Sequence, residues 1–69
     1  MTVSRMKVNL LGREWRAEIR SGVGGYWWAI YLEEMESDTG YEATERAALD
    51  DLRRFLRGYG GEVVQEVPA

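Results

Sequence analysis

Apolar and polar positions alternate over the first third of the chain. Met6, Val8 and Leu10 are separated by Lys7 and Asn9, the period-2 pattern of a strand with one wet face. Trp15, Ala17 and Ile19 then alternate with Glu14, Arg16, Glu18 and Arg20. Gly12 lies between the two runs, so they predict a hairpin turning around Leu11–Arg13. The segment Ser21-Gly22-Val23-Gly24-Gly25 reads as a glycine-rich turn. A third strand follows from Tyr26 to Glu33. Tyr26, Trp28, Ile30 and Leu32 share one side of it, and Trp27, Ala29 and Tyr31 share the other. A strand apolar on both sides belongs in the middle of a sheet.

The alternation stops after Glu33. Glu34 to Gly40, EMESDTG, predicts a loop. From Thr44 the period changes. Ala48, Leu49, Leu52, Phe55, Leu56 and Tyr59 recur at three- and four-residue steps, one apolar stripe on a helix. Thr44 suits the N-cap, and Glu45 stands in the first turn where the helix dipole favours an acid. Arg53, Arg54 and Arg57 fall near the other end, where cations are favoured. Gly58, Gly60 and Gly61 supply the stop. Glu62 to Val67 predicts a last strand that Pro68 ends. The reading is one α+β domain over residues 1–69, a small, mostly antiparallel sheet with one helix on one face, in the order β-β-β-α-β. Met6, Val8, Leu10, Trp15, Ala17, Ile19, Trp28, Ile30 and Leu32 are expected to meet the helix stripe. Arg5, Lys7, Arg16, Arg20, Trp27 and Tyr31 are expected on the opposite face.

Length sharpens this picture. A chain of 69 residues buries only about 60% of the surface its unfolded form exposes. It has no Cys and no His, so disulfides, thiolate zinc sites and imidazole ligands cannot reinforce it. Three Trp and four Tyr supply packing instead, and homodimerisation is a second route to stability. The opening residues MTVSRMKVNL lack the apolar core of a signal peptide. No run approaches the roughly 20 apolar residues that span a bilayer. A cytoplasmic protein with no membrane partner is expected.

The same composition narrows the chemistry. Ser4, Ser21 and Ser37 have no His partner for a triad, and there is no Cys nucleophile. GVGG lacks the spacing, the Lys and the following helix of a phosphate-binding loop. Glu33, Glu34, Glu36 and Asp38 do not have the spacing of a calcium loop. The sequence therefore predicts a protein that is not an enzyme and takes no cofactor or metal.

One stretch resembles a known family. The aromatic strand Gly25-Tyr26-Trp27-Trp28-Ala29, followed by a loop and then a helix opening Thr44-Glu45-Arg46-Ala47-Ala48-Leu49 and continuing to Leu52 and Leu56, is similar to the N-terminal domain of HicB-type antitoxins. The likeness covers residues 24–57. The family's loop carries a Pro–Leu–Pro–Gly type segment, whereas Glu33 to Gly40 contains no Pro. The family's C-terminal DNA-binding segment has no counterpart in these 69 residues. The resemblance implies a protein that binds and masks a small RNA-cleaving toxin.

Charge adds two candidate surfaces. Residues 1–31 carry a net +3 and residues 32–69 a net −6. Six acids, Glu33, Glu34, Glu36, Asp38, Glu42 and Glu45, occur within thirteen residues with no base among them. Carboxylates on a rigid scaffold can imitate a phosphate backbone and fill a groove built for nucleic acid. Small phage-encoded inhibitors, anti-CRISPR proteins included, share this size and acidity. The plainer reading is an acidic loop that keeps a small domain soluble. The second surface is Trp27 and Tyr31 among Arg5, Lys7, Arg16 and Arg20, diluted by Glu14, Glu18 and Glu33. It fits a second copy of the chain, a foreign protein, or stacked RNA bases. The leading expectation is an antitoxin-like inhibitor of a nucleic-acid-acting protein. An anti-CRISPR-type nucleic-acid mimic and an RNA-binding module are the alternatives.

Overall fold

The alternating runs become long antiparallel strands. A computed structural model describes residues 1–68 of the chain. Its elements are β1 (Thr2–Leu10), β2 (Arg13–Gly22), β3 (Gly25–Leu32), β4 (Met35–Glu42), α1 (Glu45–Gly58) and β5 (Glu62–Pro68). They form one α+β unit, a five-stranded antiparallel sheet in the order β4-β3-β2-β1-β5 with a single helix. The order is therefore β-β-β-β-α-β, one strand more than the sequence pattern shows. The segment expected to be an acidic loop is β4, paired with β3 from Tyr26↔Glu42 to Leu32↔Met35. The third strand correspondingly ends at Leu32 rather than Glu33.

Two features hid that strand. The β3–β4 turn is the two-residue step Glu33-Glu34, with Glu33 at φ 58°. A turn needing positive φ normally announces itself with Gly or Asn. Glu-Glu carries no such signal. Second, β4 is exposed at every position except the half-buried Gly40 and Glu42, so no burial enforces an apolar alternation.

The helix bridges the two edges of the sheet. β4 is one edge and β5 the other, four strand spacings apart, or roughly 19 Å. Fourteen helical residues cover about 21 Å, so α1 carries the chain across the sheet in one pass. Its start is capped as its sequence predicts. Thr44 is extended, and its Oγ1 accepts from the Ala47 N–H at 3.1 Å. Its end is a Schellman motif. The Gly61 N–H donates to the Leu56 carbonyl (2.7 Å) and the Gly60 N–H to Arg57 (3.0 Å), with Gly60 at φ 73°.

The core lies between helix and sheet. Met6, Val8, Leu10, Ala17, Ile19, Trp28 and Ile30 from the strands meet Ala48, Leu52 and Leu56 from α1, and all are buried. Trp15, Leu49 and Phe55 pack around it half-buried. Tyr59, the last residue of the expected stripe, is largely exposed, although its ring stacks on Phe55 with centroids 5.2 Å apart. No helix among the described residues is long and apolar enough to cross a membrane.

Candidate functional site

One helix leaves one sheet face uncovered, and register decides what stands on it. Three rows cross the strands. Tyr41, Trp27, Arg20 and Thr2 form the first. Thr39, Ala29, Glu18, Arg5 and Val67 form the second, and Glu36, Tyr31, Arg16, Lys7 and Gln65 the third. Glu14, Asn9 and Glu62 lie beyond them. Each row exists because side chains alternate along a strand and antiparallel partners share a face.

Trp27 and Tyr31 stand on this face as expected, but half-buried rather than free. The Trp27 indole lies over Gly22. The Arg16 guanidinium sits 4.6 Å from the Tyr31 ring centroid, a cation–π contact. Arg16 Nε is also 3.6 Å from the Glu18 carboxylate, which accepts a hydrogen bond from the Thr2 hydroxyl at 3.1 Å. Ala29, between the two aromatic residues, is fully buried. Arg20 Nε is buried without a hydrogen-bond partner.

Tyr41 belongs to the same aromatic row and was not singled out by the sequence. It pairs with Trp27 across β3–β4, is 58% exposed, and its hydroxyl donates to the Gly24 carbonyl at 2.6 Å. Its signal was the alternation Thr39–Tyr41, which a segment read as loop conceals.

The acids do not form a loop. They line the β4 edge. Glu33 and Glu34 make the β3–β4 turn, so Glu33 is not part of the open face. Glu36 stands on the open face beside Tyr31, whereas Asp38 and Glu42 point to the helix side, paired with Ile30 and Tyr26. The register shift between Ile30 and Tyr31, a bulge in β4, makes this change of side possible. Glu45 opens α1 at the end of the same edge. Among the described residues the ion pairs are Arg16–Glu18, Arg53–Glu66 and Arg54–Asp51. None of the six edge acids has a cationic partner.

A further acid plays a structural part that the sequence pattern does not reveal. Asp51 Oδ2 accepts from the buried Trp28 Nε1 at 2.8 Å, and its other oxygen meets Arg54 at 3.2 Å. Gly40 lies against that indole, so close that a Cβ there would run into the Trp28 ring and the Asp51 carboxylate. This Trp28–Gly40–Asp51 contact clamps β4 and α1 to β3.

The site is thus a surface: an uncovered aromatic and charged sheet face bounded on one side by an unpaired acidic edge. An open cleft lined by Arg13, Trp15, Leu32, Glu33, Glu34 and Glu36 lies where the acidic edge meets the β3–β4 turn. No family model matches the chain, and neither does any curated protein or solved structure.

Proposed function

We propose that this protein is a non-enzymatic inhibitor that binds and occludes a cytoplasmic nucleic-acid-acting protein, in the manner of the HicB-type antitoxins that residues 24–57 resemble. The observation that supports it is the β4 edge. Glu33, Glu34, Glu36, Asp38, Glu42 and Glu45 succeed one another along one rim with no ion-pair partner among the described residues. Glu36 to Glu42 alone cover about 20 Å of extended chain at ~3.3 Å per residue. Over that length the edge presents Glu36, Asp38 and Glu42, sparser than the one phosphate per roughly 3.4 Å of a nucleic-acid strand, and Glu33, Glu34 and Glu45 extend the run at its two ends. A groove lined with Arg and Lys can accept the edge in place of its substrate. Backbone pairing with β3 fixes where Glu36, Asp38 and Glu42 leave the edge.

The same edge favours one alternative target, the nucleic-acid channel of a CRISPR effector, which is also basic and backbone-reading. The chemistry of binding is shared, and the captured protein tells the two apart. The experiment is affinity capture from the native host with the wild-type chain and with Glu34→Lys/Glu36→Lys/Asp38→Lys. The expected result is a nuclease or nucleic-acid-binding protein held by the wild type, released by raised salt and absent with the variant. Equal capture by both chains would refute the proposal.

A further inference from the structure

We infer that the open cleft at the β3–β4 turn is a docking site for a protein segment in which an apolar side chain is flanked by arginines or lysines. The inference deepens the edge reading and rests on it, since the cleft is the turn end of the same acidic rim. It begins with an apolar corner that the helix does not cover. Trp15 stands on the helix side of the sheet, paired with the core residue Val8. Leu32 shares that side with Ile30, two residues before it, and Met35 pairs with Leu32 across the turn. Among the described residues that line the cleft, none belongs to α1. Trp15 and Leu32 are therefore only half-buried, and Met35 is 77% exposed. The cleft measures about 770 Å³, within the roughly 300–1,000 Å³ of ordinary binding clefts.

Charge selects the occupant. Glu33, Glu34 and Glu36 stand around the apolar floor against the single cation Arg13, and none of the four is ion-paired among the described residues. Such a rim repels nucleic acid and anionic lipid head groups. It also disfavours a second copy, because a two-fold axis over the cleft brings three more carboxylates to the same small site. A basic segment with an apolar centre satisfies both parts. Its apolar side chain covers Trp15, Leu32 and Met35, and its cations meet the carboxylates. A guanidinium among them can lie on the Trp15 ring. The Trp15 Nε1–H is already engaged by the Leu10 carbonyl at 2.9 Å, so what the indole offers a partner is its apolar surface. An aromatic anchor in an apolar floor, ringed by charge, is how protein interfaces concentrate their binding energy.

The test is a nuclear magnetic resonance titration of the labelled chain with two synthetic peptides, acetyl-Arg-Arg-Leu-Arg-amide and its glycine counterpart, acetyl-Arg-Arg-Gly-Arg-amide. The signals read are the Trp15 indole N–H and the Met35 methyl. The leucine peptide is expected to shift both saturably and to bind about tenfold more tightly than the glycine peptide. Met35→Ser, at an exposed site, is expected to bring the leucine peptide close to the affinity of the glycine peptide and to leave the latter unchanged. Far-UV circular dichroism confirms that the variant is folded. Absence of saturable shifts at Trp15 and Met35 would overturn the inference, as would equal affinity of the two peptides for the wild type. Shifts centred on Trp27 and Tyr41, or on Glu42 and Glu45, would overturn it too. A Met35 signal that moves with chain concentration in the absence of peptide would assign the cleft to a second copy and overturn it likewise. The titration uses no cellular target, so its failure and a failure of the capture experiment are told apart.

Discussion

Trp28 is the residue on which most of this small fold converges. Its indole is 4% exposed, stacks on Phe55 with centroids 5.0 Å apart, and donates to Asp51. Burying a polar N–H is tolerable only with a partner, and leaving one unpaired costs about 1–3 kcal/mol. Asp51→Leu is therefore expected to destabilise by about 1–2 kcal/mol, while Asp51→Asn, which keeps an acceptor, loses less. Urea unfolding of the two variants checks the order. Gly40 is under a separate demand. Gly40→Ala places a methyl into the indole and is expected to cost about 1–3 kcal/mol through overpacking. Trp28 was legible from the sequence as a core residue because it lies on the apolar side of an alternating run. Its partners were not, since Asp51 is twenty-three residues away and looks like one more acid on a helix surface.

Among the elements, α1 was the most legible and β4 the least. A helix carries its own signals: the 3.6-residue stripe, Thr44 at the cap, and glycine at the stop. All three act locally, and all three stand in the structure. Thr44→Ala is expected to lower stability by about 1 kcal/mol through the lost cap. Gly60→Ala, which forces a Cβ into the left-handed region, is expected to cost about 1–2 kcal/mol. In a domain this size each would lower Tm by roughly 4–8 °C per kcal/mol, measurable by thermal circular dichroism. β4 has no comparable code. Its sequence, MESDTGYE, has few β-formers, and its turn lacks a turn residue. It is a strand because β3 would otherwise show an unpaired backbone edge, and because Gly40 and Tyr41 fit against Trp28 and the Gly24 turn. The acids then serve the sheet as well as any partner, since charge on an edge strand discourages pairing with other chains.

At the scale of the whole molecule, stability is graded from the centre of the sheet to its rims. β1, β2 and β3 are paired on both sides and supply seven of the buried core residues opposite α1. β4 and β5 each have one open side, and nearly all their residues are exposed. Native-state hydrogen exchange is therefore expected to be slowest in the ladders among β1, β2 and β3 and faster at the β4 and β5 edges. Equal protection across all five strands would contradict that grading. The division also suits the proposed function. A rigid centre holds the core, while the less committed rim carries the unpaired acids.

What the sequence by itself determined was everything that side-chain periodicity encodes. Alternation placed Met6, Val8, Leu10, Ala17, Ile19, Trp28 and Ile30 on one side of the sheet and Trp27, Tyr31, Arg5, Lys7, Arg16 and Arg20 on the other. Helical spacing placed Ala48, Leu52 and Leu56 over the core. Those positions are legible because burial selects apolar residues at the period of each element. Only the tertiary structure decided that the acidic run is a strand, that its carboxylates divide between two sides of an edge, and that Tyr41 joins the aromatic row. An exposed edge strand buries almost nothing, so its residues leave no periodic trace. Its conformation comes from the backbone of its neighbour, which no local pattern records.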